Sequence, residues 1–535
     1  MSILQKTMTY PSPSQLGLNY GWDDEWRPAQ IEALDRILHS TRNIIIVDAP
    51  TGSGKTGIAL ALARYTKQRT FIDTHTTSLQ DQYMREAGGL AKMIKGRSHY
   101  PCVLPEYEPV VAASCGVDDS TTAEDAPCTA GYTCVVREKG ACPYYAAYNA
   151  AVAAPISVHN YAYRLRESNF IGGFLRARWL ICDEGHYLPD ALVDLDTFSI
   201  TEKQLDWMTK RHQISILPGD RKDRAAWRIW VSKAVVAYRK LAARMPAYSA
   251  DRSRTERRAA DLERLFELLG TGSMHIGHDS FTGSYTFSPL WPNQPSRSLL
   301  MGRRVGGFSI AEKLVIMSAT ILDPKMYCKT LGIDPAFVEY VKLPYTFDPA
   351  IRPIYAWPVA KVTRASEAKV APLLANAVDT IIDKHMGSKG IIHVPSYALG
   401  ELVVGLSKHK ALLLTHDRSS KGSILERFRR SQKGEWLVSP SIASGEDFRY
   451  DDARVQIILK VPWPSLGDPM VKLRAKDIPG WYEYKTMQEL WQQVGRIVRA
   501  PDDFGETYIL DASFEELVTN NPQYAPADIT KAIHW

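Results

Sequence analysis

One octapeptide, Ala49-Pro-Thr-Gly-Ser-Gly-Lys55-Thr56, constrains this chain more than any other feature of it. It follows the β-branched run Asn43-Ile-Ile-Ile-Val-Asp48 and precedes an Ala/Leu-rich stretch. Buried strand, Gly-rich turn and helix, in that order, form the setting in which backbone amides cradle phosphate. Glycines let N–H groups approach phosphate oxygens with no Cβ in the way. The helix that follows offers its positive end to the anion. Lys55 supplies a point charge for the β- and γ-phosphates, and Thr56 a hydroxyl for Mg²⁺. Ala49, Pro50, Thr51, Gly52, Ser53, Gly54, Lys55 and Thr56 are therefore expected to hold ATP. The bland alternative is a Gly-rich turn with no ligand, and the strand, lysine and helix around it argue against that.

Two further motifs supply what phosphoryl transfer needs. Asp183-Glu184-Gly185-His186 follows the apolar run Trp-Leu-Ile-Cys182. Alone, an acidic pair at a strand end is usually solvated. Downstream of a phosphate loop, Asp183 is expected to hold Mg²⁺ and Glu184 to orient or deprotonate the attacking water. Near the other end stands Gln492-Gln-Val-Gly-Arg496-Ile-Val-Arg499. Its spacing predicts a helix presenting Arg496 and Arg499 on one face, where they stabilise charge on the γ-phosphate.

Apolar runs at 69–74, 179–183, 313–318, 390–395, 435–439 and 455–461 alternate with helical stretches, which implies α/β domains. Residues 27–39 read as an amphipathic helix with Ile31, Leu34 and Leu38 on one face. Two α/β blocks flank a helical region at about 201–269, rich in Arg, Trp and Leu. With 535 residues, 45% of them apolar, the chain has core enough for about two to four domains. A net charge of +6 permits a nucleic-acid partner without demanding one. The start, Met1-Ser-Ile-Leu-Gln-Lys6, lacks the pattern of a secretory signal. The longest apolar runs fall far short of the roughly 20 residues that cross a bilayer. The chain is therefore expected to be intracellular and off the membrane, with its seven cysteines unpaired.

Together these motifs resemble superfamily 2 helicases, specifically the XPD/DinG group, over nearly the whole chain after about Trp22. Arg27-Pro28-Ala-Gln30 resembles the segment before the phosphate loop, where Gln30 would contact adenine. The stretch Asp73-Thr-His-Thr-Thr-Ser-Leu-Gln-Asp-Gln82 resembles the motif that touches DNA phosphates. Asp183–His186 is similar to a DEAH box with glycine in the third place, and Ser318-Ala-Thr320 to the motif coupling hydrolysis to strand movement. His393-Val-Pro-Ser-Tyr397, Ser444-Gly-Glu-Asp447-Phe448 and Val461-Pro-Trp-Pro-Ser-Leu-Gly-Asp-Pro469 resemble motifs of the second motor. Ser444 stands where the family often has Glu, which leaves the division of labour between Glu446 and Asp447 open; Asp447 is placed with the nucleotide.

The resemblance implies an α/β fold with two RecA-like motor domains, and with an iron–sulfur insertion and a helical arch insertion in the first motor. Its expected boundaries are motor one at 1–95, 154–200 and 301–325, the iron–sulfur insertion at 96–153, the arch at 201–300, and motor two at 326–535. It further implies a monomer that hydrolyses ATP with Mg²⁺, moves 5′ to 3′ on single-stranded DNA and unwinds duplex junctions, with recruitment by other replication, repair or defence proteins. Three alternatives stay open: a DNA translocase or remodelling subunit that does not unwind free duplex, an interaction arm using ATP as a switch, and an RNA substrate.

Five of the seven cysteines, Cys102, Cys115, Cys128, Cys134 and Cys142, crowd between the phosphate loop and Asp183. None forms the close C-x₂₋₄-C pair common in zinc sites, whereas iron–sulfur clusters accept variable spacing. The family carries a 4Fe–4S domain at this place. Lys95-Gly-Arg-Ser-His-Tyr-Pro-Cys102 and Cys142-Pro-Tyr-Tyr145 sit in its matching motifs, and Cys128 and Cys134 share a compact segment. Cys102, Cys128, Cys134 and Cys142 are thus the expected ligands and Cys115 the spare; zinc and free thiols remain alternatives. Cys182 and Cys328 read as buried core. Between Thr201 and Ile310 basic residues exceed acidic ones by nine. Lys210, Arg211, Arg221, Lys222, Arg224, Arg252, Arg254, Arg257 and Arg258 there suggest a phosphate-holding surface or an ordinary solvated face. Trp207, Trp227 and Trp230 read as core more readily than as base-stacking platforms.

Overall fold

The computed structural model describes residues 10–19, 24–174, 176–271, 274–279, 282–292, 311–345, 347–442 and 446–535. Ser444 and Gly445 of the expected nucleotide-cleft motif lie outside the described residues, as does 293–310, where the second insertion is expected to end. In chain order the first strands are β1 (Ile44–Asp48), β2 (Thr70–Thr74), β3 (Ala91–Met93), β4 (Ile156–Asn160), β5 (Ala177–Asp183), β6 (Phe198–Thr201), β7 (Met274–Asp279), β8 (Ser284–Pro289), β9 (Ala311–Ser318) and β10 (Val338–Lys342). The rest are β11 (Ile354–Ala360), β12 (Gly390–His393), β13 (Leu413–Leu414), β14 (Trp436–Ser439), β15 (Val455–Ile458), β16 (Glu506–Asp511) and β17 (Ile533–His534).

Among the described residues these make two seven-stranded sheets and one three-stranded sheet. The first runs β10-β1-β9-β5-β2-β4-β3 and the second β13-β14-β12-β15-β16-β11-β17. All the described pairings in both are parallel. Parallel sheets need cover on both faces, and the β-branched strands supply it by alternation. Ile45 and Val47 of β1 join one buried cluster with Ile58, Leu62 and Met317, while Ile46 faces another with Leu180, Ile316 and Tyr327. Across β1 and β9 Asp48 pairs with Ser318, and across β5 and β9 Asp183 pairs with Met317, so three neighbouring strands end level.

The helices α1 (Pro28–His39), α2 (Lys55–Thr66) and α3 (Thr77–Glu86) pack against this sheet. Proline in its first turn suits α1, where no N–H is needed. Its buried face is centred on Ala33, Leu34 and Ile37, with Ile31 and Leu38 at the margin.

The expected start of motor two at 326 is corrected by the strand pairing. The helix Pro324–Leu331 buries Tyr327, Cys328 and Leu331 in the first sheet's core, and β10 pairs in parallel with β1. The first lobe therefore runs to Lys342, and the second sheet begins at β11. The second insertion is likewise not purely helical. Helices Glu202–His212, Arg224–Arg244 and Ala250–Gly270 pack with the antiparallel sheet β6-β8-β7. Tyr285 and Phe287, two apart on β8, face the same buried cluster as Trp227, Trp230, Leu262 and Leu265. Trp227 is fully buried, Trp230 nearly so, and Trp207 packs against the cluster's margin.

The basic surface expected on this insertion is largely spoken for by protein groups. Arg254 and Arg257 both bind Asp125 of the cysteine-rich segment, at 3.2 and 2.8 Å, and hold its carboxyl below the usual carboxylate range. Arg221 pairs with Glu202, Arg252 with Glu256, and Arg258 donates to the Ser199 carbonyl. Lys210, Arg211, Lys222 and Arg224 are exposed. No helix of the described residues is long and apolar enough to cross a membrane.

Removing an indole from a filled core costs about 3–5 kcal/mol. Trp227→Ala should therefore loosen the second insertion first, and limited proteolysis should cut within 198–289 before either lobe. Unchanged protease resistance there would contradict the packing described.

Candidate active site

The level ends of β1, β9 and β5 deliver the phosphate loop, Ser318 and Asp183 side by side. They lie at the carboxyl edge of the sheet, where open α/β sheets bind ligands. Gly52 in the loop holds φ +79°, and a Cβ there would stand 2.6 Å from the Phe347 ring. Arg27 donates to the Gly52 carbonyl, and Gln30 Nε2 donates to the Gly54 carbonyl at 3.1 Å. Gln30 Oε1 accepts from the Arg27 N–H at 3.0 Å, and the side chain is fully buried. Gln30 thereby braces the loop from the side of the preceding helix. Ser53 Oγ is buried in the loop with no hydrogen-bond partner.

Around the loop the acidic residues converge. Lys55 Nζ stands 3.9 Å from Glu184 Oε1. The Thr56 hydroxyl accepts from Gln82 Nε2 at 3.3 Å. Asp183 accepts from the Tyr83 hydroxyl and from the Glu184 N–H, both at 2.8 Å. Burial, and then the neighbouring charge of Glu184, push the Asp183 carboxyl up, while Lys55 and the Tyr83 hydrogen bond pull it back. Glu184 adopts φ +52°, a left-handed conformation uncommon outside glycine. Gly185 has a packing reason: a Cβ there would overlap Ile316 Cγ2, while its carbonyl accepts from the Tyr327 hydroxyl at 2.5 Å.

His186 joins the two lobes. Its Nδ1 lies 2.8 Å from Ser318 Oγ, and 3.3 Å from both Glu184 Oε2 and Gln492 Nε2. Burial, with Lys485 and Arg496 nearby, pushes its pKa well down and keeps the ring neutral. Gln492 also donates to Thr320 Oγ1 at 2.7 Å, and Gln488 to the Thr320 carbonyl at 2.8 Å. The helix Trp481–Val494 that carries both glutamines stops before the arginines, contrary to the helical face expected for them. Gly495 caps it, and a Cβ there would come 2.8 Å from Thr51 Oγ1 of the phosphate loop, so the close approach of the two segments calls for glycine. Beyond it, Val498 takes φ +58°, a strained conformation for a β-branched residue of the kind that clusters at working sites.

Asp447 binds Arg499 directly and lies 3.5 Å from Arg496. Burial raises its carboxyl, but the two guanidiniums outweigh that and hold it below its ordinary range. Arg496 also donates to the Glu446 carbonyl at 3.1 Å and to Gln492 Oε1 at 3.2 Å. One pocket is lined by Gly52, Gly54, Lys55, Thr56, Asp183 and Glu184 from the first lobe and by Asp447, Arg449 and Arg499 from the second. It opens beside a cleft of about 790 Å³ that reaches Arg496, His75, Thr76 and Ser78. The site residues that sequence reasoning missed are Arg27 as loop brace, Gln82, Tyr83 and Glu86. Arg27, Gln82 and Tyr83 act through contacts distant in sequence and Glu86 through Gln82 one turn earlier, so no spacing rule marks them.

Cys102, Cys128, Cys134 and Cys142 line one small cavity with Arg97, Tyr144 and Tyr145. Cys115 is buried to the side, packed with Leu104, Ala112 and Val117. None of the seven cysteines is paired in a disulfide. Burial pushes the Cys102 and Cys128 thiols up, and Arg97 pulls Cys128 back. Among the described residues no group of three or more His, Cys, Asp or Glu is gathered closely enough for a single metal ion.

Gly185→Ala should displace the acidic box and lower ATP turnover by about tenfold or more, the effect of roughly 1.4 kcal/mol in the barrier. Adding Ile316→Ala, which removes the overlapped methyl, should restore part of it. Turnover unaffected by Gly185→Ala would contradict the packing argument.

Residues 23–209 match the family model described as the res subunit of type III restriction enzymes, and residues 380–526 match the helicase C-terminal domain model. The ATP-dependent DNA helicase YoaA of Haemophilus influenzae is 22% identical over 88% of this chain and 88% of its own length. YoaA of Escherichia coli is 24% identical over 87% and 88%. A solved XPD helicase superposes with a TM-score of 0.63 at 16% identity, covering 93% of this chain and 98% of that one. The S. tokodaii Xpd4 structure gives 0.56 at 16% identity, covering 95% and 99%. Two parallel α/β lobes, a phosphate loop and acidic box in the first, paired arginines from the second, and these similarities support an XPD/DinG-like superfamily 2 DNA helicase.

Proposed function

We propose that the chain hydrolyses ATP at the seam between its lobes to travel 5′ to 3′ along single-stranded DNA and separate duplex strands. The observation that carries this reading is the division of one pocket between two lobes. The phosphate loop and Lys55 hold the β- and γ-phosphates, Glu184 orients water, and Arg499 and Arg496 reach in from the second lobe. Thr56 and Asp183 are the residues to hold Mg²⁺, which neutralises phosphate charge as it develops. For the arginines to reach a phosphate they must leave Asp447, so substrate and carboxylate compete for the same guanidiniums. Ser318, Thr320, Gln488 and Gln492 then convert a change at the pocket into relative movement of the lobes. DNA as the track is supported by the YoaA relatives, whose names describe DNA helicases. The 73–82 segment, with exposed His75 and Ser78 at the cleft, is the stretch proposed to meet its phosphates. The direction of travel rests on the family resemblance.

We further propose a 4Fe–4S cluster on Cys102, Cys128, Cys134 and Cys142. The donor set fits: four free thiols face one cavity beside a guanidinium. A zinc ion draws all its sulfurs to about 2.3 Å of one point. A 4Fe–4S cluster takes one cysteine per iron, four in all, which matches the number of cysteines on this cavity. The cluster's role there is structural, stiffening the segment that Arg254 and Arg257 clasp through Asp125.

Lys55→Ala should abolish turnover, and single-stranded DNA should raise turnover of the unmodified chain. Turnover that ignores both would contradict the motor reading. Protein purified without oxygen should be brown. Cys134→Ser should lose that absorption while Cys115→Ser keeps it, and the reverse pattern would reassign the ligands.

A further inference from the structure

α3 and the residue pair before it meet the acidic box and the residue that follows it. Before its first turn, His75 stacks on Tyr187 with ring centroids 3.9 Å apart. In its last turns, Tyr83 donates to Asp183 Oδ2 at 2.8 Å, and Gln82 Nε2 reaches both Thr56 Oγ1 at 3.3 Å and Glu86 Oε1 at 2.8 Å. Thr56 and Asp183 are the two residues assigned to Mg²⁺. One helix therefore grips both, through side chains adjacent in sequence. Its middle is tied to the start of the cysteine-rich segment: Gln80 donates to the Ile94 carbonyl at 3.3 Å, and Asp81 pairs with Lys95 at 3.2 Å.

We infer that Tyr83 and Gln82 are positioning residues that set Asp183 and Thr56 for Mg²⁺ and transmit to them the state of the loop just before the helix, at residues 75–76; this rests on the motor reading above. The Tyr83 side chain is fully buried, where a phenylalanine would pack equally well without a polar group to satisfy. Its hydroxyl is committed to the carboxylate. A helix moves as a rigid body over its length, and Ser78 and Tyr83 are about 7.5 Å apart along the axis at 1.5 Å per residue. A shift of the loop at the cleft therefore arrives at the metal side of the pocket, through contacts wholly within the first lobe. It adds to the Thr320–Gln492 connection, which acts between lobes.

The test measures the affinity of a fluorescent, non-hydrolysable ATP analogue in EDTA and in Mg²⁺, each with and without oligothymidylate. Binding in EDTA is the reference for every variant. Tyr83→Phe should lose about tenfold of the Mg²⁺-dependent gain, as expected for a hydrogen bond to a charged group. It should also bring the oligothymidylate-induced change in analogue affinity toward one. Gln82→Leu should do the same in smaller measure. By linkage the analogue's effect on oligothymidylate affinity must fall by the same factor, which is read independently. Wild-type coupling that survives intact in Tyr83→Phe would overturn this inference alone. A wild-type chain whose nucleotide affinity ignores oligothymidylate would overturn the motor reading and this inference with it.

Discussion

The parallel pairing of β9 with both β1 and β5 is the constraint on which everything else rests. It brings Asp48, Ser318 and Asp183 to one level, although they are separated by as many as 270 positions in the chain. A slip of one residue in either pairing would turn every side chain to the opposite face of the sheet. Ile45 and Val47 would trade clusters with Ile46, and the phosphate loop would leave the acidic box. The register is fixed by burial on both faces, so the hydrophobic core and the site's geometry have the same cause.

Around Thr320 and His186 the seam is closed by hydrogen bonds, which suit a joint that must open. Gln492 and Gln488 satisfy Thr320, and His186 stays neutral among Ser318, Gln492 and Glu184. Each such bond is worth about 0.5–1.5 kcal/mol net, because water replaces the partner when the lobes part. A greasy seam of the same area would be harder to reopen. Asp447 plays the matching part for the arginines: it keeps two guanidiniums oriented at the pocket, and they hold its carboxyl below the ordinary range.

Much of the site was legible because its signals are local. The phosphate loop, the Asp183–His186 box and the Gln492–Arg499 stretch each carry their chemistry within eight residues, and all three meet in the structure. What was not legible depends on contacts between distant segments. The start of the second lobe was placed too early because β10 carries Glu339 and Lys342, and only its pairing with β1 reveals its sheet. The sheet β6-β8-β7 escaped notice because its strands are short and mix His, Ser and Gly with the apolar residues. Arg254 and Arg257 looked like free cations because Asp125 is some 130 positions away. Arg496 and Arg499 do not share a helix: the chain leaves helical geometry after Val494 and Val498 turns left-handed, which the Q-x-x-G-R-x-x-R spacing does not announce.

In the proposed mechanism the lobes share one active site and the second lobe contributes to the chemical step. Single-turnover hydrolysis by Arg499→Ala tests it most directly. An arginine acting on the γ-phosphate across such a seam is worth about 10³–10⁵ in rate. The account predicts a loss of that order, with ATP still bound by the first lobe's loop. Hydrolysis within a few-fold of the unmodified chain would mean that the first lobe works alone.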